Sequence, residues 1–181
     1  MSRKLISLGA LFLAGLVATL ALVMPLGAQT TPLPIAVELL TPREGGVFTD
    51  GVKLIFRYKL EGNAPEVINS REPSQTIVAR ITVQPGAQFP WHTHPGPVIV
   101  NVTQGELVYV LAADCVERSY AGGTAFIDPG RGNVHTAYNP TDGETILIAT
   151  FFEIPATGPL TIPVDAPSDC LVEGGLVAAH H

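Results

Sequence analysis

The ten residues WHTHPGPVIV, Trp91 to Val100, hold two histidines one residue apart, a Pro-Gly-Pro turn and a β-branched run. On an extended strand the side chains of residues i and i+2 leave the same face, so His92 and His94 present two imidazoles side by side. Such a pair can chelate a metal ion but cannot complete its coordination. The one other internal histidine, His135, follows the Gly130-Arg131-Gly132 turn in a second candidate strand. An antiparallel sheet would bring it beside the pair. Three imidazoles with open positions suit Fe, Zn, Cu, Ni or Co. His180 and His181 end the chain and are read as a loose terminus outside any site.

Outward from this stretch the chain reads as strands and turns. Val52, Leu54, Phe56, Tyr58 and Leu60 alternate with polar residues, a half-buried strand over 52–60. The same period recurs over 76–83, through Ile77, Ala79, Ile81 and Val83. Further strands are expected at 97–103, 106–111, 124–127, 133–138 and 145–154. Gln104-Gly105, Gly122-Gly123, Asp128-Pro129-Gly130 and Asp142-Gly143 mark the turns between them. Residues 61–75 read as a loop. No segment carries a sustained helical period with caps. The pattern predicts an all-β domain, a sandwich or barrel of short strands.

Arg3 and Lys4 precede an apolar run from Leu5 to Met24, closed by Pro25 and the small residues Gly27 and Ala28. This is the layout of a secretory signal peptide over 1–28, with an uncleaved membrane anchor as the alternative. Cleavage would leave 153 of the 181 residues and take two basic side chains away, moving the net charge from −6 to −8. The expected location is therefore secreted or periplasmic. Membrane contact is expected only if residues 1–28 stay attached. The scattered acidic charge offers no basic patch, which excludes a nucleic-acid partner. The remaining boundaries read as an N-terminal extension over 29–46, a β-barrel domain over 47–154 and an extended tail over 155–181. Cys115 and Cys170 are the only cysteines. In an exported chain an even count points to a disulfide tying the tail to the domain; the alternative is two buried thiols.

The spacing around the histidines resembles the cupin superfamily. In the first motif of that family a glycine is followed, after five intervening residues, by His-x-His, then a glutamate, then a glycine. Gly86, His92, His94 and Gly105 stand at those positions, but Val98 occupies the place of the glutamate. The second motif is matched by Gly123, Pro129, Gly132, His135 and Asn139, with one extra residue between Pro129 and Gly132. The resemblance covers 86–139 by motif and about 76–154 with flanking strands. It implies a double-stranded β-helix, a jelly-roll barrel, with His92, His94 and His135 as ligands of one divalent transition metal. Val98 leaves such a site without its carboxylate, which favours Fe, Zn, Cu or Ni over Mn. Val98, Tyr109 and Phe126 are candidates for the pocket wall, although aromatic core is the ordinary reading of the last two. Asn139 reads as a residue that fixes the turn after His135.

Two functions fit. One is a metal-dependent oxidoreductase, dioxygenase-like, acting on a small organic molecule. The other is a non-catalytic metallo-cupin that holds a small ligand or uses its metal for stability. The absence of an evident acid or base beside the histidines favours the second. A homodimer is implied by the resemblance alone.

Overall fold

Strand pleating explains the core. In strand β5 (Gln75–Val83), Ile77, Ala79, Ile81 and Val83 are buried while Arg80 is exposed. In β7 (Val98–Gln104), Val98, Val100 and Val102 are buried, while Ile99 and Asn101 are only partly covered. In β12 (Thr145–Phe152), Leu147, Ala149 and Phe151 repeat the pattern. Each fully covered Val, Ile, Leu or Phe contributes roughly 1.5–3 kcal/mol relative to exposure.

The computed structural model describes residues 34–43, 46–48, 50–70, 75–170 and 172. Its strands lie in one compact unit. The remaining strands are β1 (Ile35–Leu39), β2 (Gly46–Val47), β3 (Ile55–Tyr58), β4 (Glu66–Asn69), β6 (His92–Thr93), β8 (Glu106–Leu111), β9 (Glu117–Ala121), β10 (Thr124–Asp128), β11 (His135–Tyr138) and β13 (Ile162–Pro163). One sheet runs β1-β5-β12-β7-β10, with β2 also paired to β5; the other runs β13-β6-β11-β8-β9. Every pairing is antiparallel. The inner faces share one apolar core, joining Ile81, Val98, Val100 and Leu147 of the first sheet to Leu107, Tyr109 and Ala137 of the second. The fold is an all-β double-stranded β-helix, a jelly roll, and no helix occurs among the described residues.

The sheets reach beyond 47–154 at both ends. Strand β1 lies in the segment read as an extension and pairs with β5 from Ile35↔Val83 to Leu39↔Ala79. Strand β13 lies in the segment read as a tail and pairs with β6. The expected loop over 61–75 contains β4, which pairs with β3 as a separate hairpin. Phe56 of that hairpin meets Phe152 edge-on, with ring centroids 5.3 Å apart. The candidate signal segment, residues 1–28, and the terminal His180 and His181 lie outside the described residues. No helix among the described residues is long and apolar enough to cross a membrane.

Cys115 and Cys170 form a disulfide. It pins the C-terminal segment against the outer face of the second sheet, where Val108, Val110 and Tyr138 pack with Cys170, Trp91 and Val172. Trp91 and Tyr138 thus serve structural packing outside the barrel interior.

Candidate metal centre

His92 and His135 are direct cross-strand partners on β6 and β11. His94 follows β6 at once. Its backbone is held by the second-motif turn: the Arg131 N–H donates to the His94 carbonyl at 2.7 Å, and the Gly132 N–H donates to Thr93 Oγ1 at 3.0 Å. Gly130, Arg131 and Gly132 all have positive φ. A Cβ on Gly130 would collide with the Gly96 carbonyl, so the turn can lie against the Pro-Gly-Pro segment only with glycine there.

The three imidazoles converge. Their ring centroids are 4.3, 4.9 and 5.1 Å apart, and one nitrogen of each lies within 4.8 Å of the other two. All three are buried. In each ring Nδ1 meets a backbone carbonyl: Pro90 O at 2.6 Å for His92, Leu160 O at 2.7 Å for His94 and Asn133 O at 3.1 Å for His135. A carbonyl can only accept, so Nδ1 carries the proton and Nε2 of each neutral ring keeps a lone pair for the centre. This outer support fixes tautomer and orientation, as metal-binding imidazoles require. The donor set thus fits one transition-metal ion. Leu160 brings the C-terminal segment into the site, a contribution that sequence reading missed.

It also missed Asp128. This carboxylate is 2% exposed and ends β10, on the sheet opposite the one that carries His92 and His135. Its Oδ2 lies 2.9 Å from His135 Nε2 and 3.3 Å from His94 Nε2. Its Oδ1 accepts the Gly130 N–H at 2.9 Å. The expectation of a site without a carboxylate or a nearby acid–base group is therefore corrected. In the sequence Asp128-Pro129-Gly130 reads only as a turn, yet Phe126 is buried on the same strand and period two sends Asp128 to the same face.

These groups perturb one another. Burial, and then the charges of His135 and His94, push the His92 pKa down to about 3. Burial alone would raise the Asp128 pKa, but His135 and His94 together hold it well below the usual carboxylate range. Burial opposes a charge on His135, and the Asp128 carboxylate more than offsets this, raising the pKa.

The centre opens into a cavity of about 310 Å³. Val98, Tyr109 and Phe126 all line it, together with Ile81, Leu107 and Phe151. Tyr109 packs against His135 and Phe126, with centroids at 5.2 and 4.9 Å. Its hydroxyl is buried near Asp128 without a hydrogen bond of good geometry, and burial, then the Asp128 charge, push its pKa up. Among the described residues no lysine or arginine lines the cavity. Asn139 is fully buried and holds its turn, donating to Val83 O at 3.0 Å and Gly143 O at 2.7 Å.

Residues 79–151 match the Cupin domain family model. The cupin resemblance read from the motifs is thereby shown over the segment that carries all three histidines. Among solved structures, a cupin-like protein from Thermotoga maritima is 25% identical, with 69% of this chain and 72% of that chain covered at a TM-score of 0.49. An oxalate oxidase is 26% identical over 49% of this chain and 46% of its own, at a TM-score of 0.42. The Bacillus subtilis oxalate decarboxylase, described with Mn(II) centres, is 25% identical over 42% of this chain and 21% of its own, at a TM-score of 0.38. The chain thus spans less than half of the oxidase and about a fifth of the decarboxylase. No curated protein matches the chain.

Proposed function

We propose that this cupin-domain protein is an exported metalloprotein that binds one divalent transition metal through His92, His94 and His135 and acts as a dioxygenase-like oxidoreductase on a small, uncharged organic molecule. The carrying observation is the convergence of one nitrogen from each of three buried imidazoles, each with its Nδ1 engaged by a carbonyl, at the wall of an apolar cavity. A bound redox-active ion would supply activation of oxygen or polarisation of a substrate oxygen.

The protein's own residues supply the rest. The apolar wall of Ile81, Leu107, Phe126 and Phe151 excludes water and favours a substrate of similar character. The cavity is at the small end of ligand sites, about 300–1,000 Å³. The Tyr109 hydroxyl is a buried donor free to orient an oxygen of the bound molecule. The described lining residues include no cationic side chain, which argues against a small dicarboxylate, so the oxalate chemistry of the structural neighbours is not carried over. The disulfide fits the export reading.

The test is oxygen uptake by metal-free protein reloaded with Fe(II) or Zn(II) and offered small neutral aromatic and aliphatic alcohols and ketones. Uptake with Fe(II) alone, lost in His94→Ala, is expected. If Fe(II) binds stoichiometrically and no member of the panel drives uptake, the catalytic reading gives way to a ligand-holding or structural one.

A further inference from the structure

We infer that Asp128 is a fourth ligand of the metal, restoring from strand β10 the carboxylate that Val98 withholds on strand β7. The inference rests on the three-histidine reading above.

Asp128 and Val98 are paired in register across β10 and β7. Directly opposed residues of an antiparallel pair project to the same face, so a carboxylate at either position enters the same part of the barrel. The distances suit coordination. Two donors each about 2.0–2.2 Å from one ion stand about 3.0 Å apart at a right angle and about 3.4 Å apart in a tetrahedron. Asp128 Oδ2 lies 2.9 and 3.3 Å from the two nitrogens.

The hydrogen bonding points the same way. His94 and His135 already spend Nδ1–H on the Leu160 and Asn133 carbonyls. Their Nε2 lone pairs therefore face the Asp128 oxygen, acceptor against acceptor. That contact is favourable only with a cation between the atoms. A proton on an imidazole serves in the metal-free protein, and one metal ion serves both contacts at once. The Gly130 N–H holds Oδ1, so a single oxygen is presented. A carboxylate this deeply buried is costly unless paired, and among the described residues neither a lysine nor an arginine lies against Asp128.

The test uses metal-free wild-type protein, Asp128→Asn and the double variant Val98→Glu/Asp128→Asn, titrated with Mn(II) by electron paramagnetic resonance and with Zn(II) by chelator competition. Carboxylates favour Mn(II) and imidazoles suit Zn(II), so Asp128→Asn should lose about 100-fold for Mn(II) but only about tenfold for Zn(II). The double variant should regain most of the Mn(II) affinity. An unchanged affinity, or an equal loss for both ions, overturns the ligand role and leaves the three-histidine site standing. Failure of the wild-type protein to bind either ion overturns both. A crystal structure of the Co(II)-loaded wild-type protein needs no substitution and decides the matter if Asp128→Asn folds poorly. Asp128 Oδ2 should lie about 2.0–2.2 Å from the ion. An ion held by the imidazoles with Asp128 beyond direct contact overturns the inference.

Discussion

Asp128 stands directly opposite Val98 across the β7–β10 ladder, and both are buried inside the barrel. The valine by itself marks the site as short of negative charge. The pairing shows that the charge is present, on the neighbouring strand and against two of the three imidazoles.

That pairing makes a second carboxylate hard to accommodate. Val98→Glu in the otherwise wild-type protein would place two buried carboxylates beside one another, where both cannot ionise without repulsion. The metal-free variant should be destabilised by about 3–5 kcal/mol, the range for an uncompensated buried charge. Thermal melts of metal-free wild-type and variant proteins measure this; equal melting temperatures would mean that the two side chains do not share a space.

Tyr109 gives a prediction of opposite sign. Its hydroxyl is buried without a well-formed hydrogen bond, so the folded state carries its desolvation cost. Tyr109→Phe should leave the stability of the metal-free protein unchanged or raise it by about 1 kcal/mol. Metal affinity should hold, while binding of an oxygen-bearing ligand should weaken. Urea unfolding would contradict this by showing a clear loss of stability.

The disulfide should act on the site at a distance. It closes a loop with a sequence separation of 55, worth about 4 kcal/mol in the chain-entropy account. The segment it secures also carries Leu160, whose carbonyl orients His94. The Cys115→Ser/Cys170→Ser variant should melt at lower temperature and bind Zn(II) about tenfold more weakly, the scale of losing a partner of a ligand. Unaltered affinity in the folded variant would uncouple the tail from the centre.

A second charged cluster sets an acid limit away from the site. Arg118 is buried and donates to Asp114 and twice to the Glu61 carbonyl, joining β9 to the loop before β4. The Arg118 hydrogen bond holds the Asp114 carboxyl below its usual range. A carboxyl whose pKa is lower folded than unfolded stabilises above the unfolded value, about 3.9, and that contribution is lost as pH falls through the folded value. Asp114→Asn should therefore reduce stability at pH 7 and narrow its gap to the wild-type protein below pH 4. A gap independent of pH in urea titrations would remove Asp114 from the account.

Much of this architecture was legible in the residues. Period-two alternation marked the inner face of β5, and the same alternation holds in β7 and β12. The motif spacing groups His92, His94 and His135, and the three lie close together in the fold. Short strands such as β6 and β13 carry too few residues to show a period. β9 carries a buried Arg118 in place of an apolar residue, which disguises its inner face. Asp128 was hidden because Asp-Pro-Gly is also a turn signature. Its facing could have been read from Phe126 two residues earlier, but the register that sets it opposite Val98 is a long-range pairing. Leu160 acts through its backbone, which no side-chain pattern records.

The proposed metal centre joins His92, His94 and His135. Elemental analysis of untagged protein, purified without chelators and compared with His135→Ala, tests it most directly. About one transition-metal ion per wild-type chain and almost none in the variant are expected. A wild-type protein without metal, or a variant that retains the full amount, would contradict it.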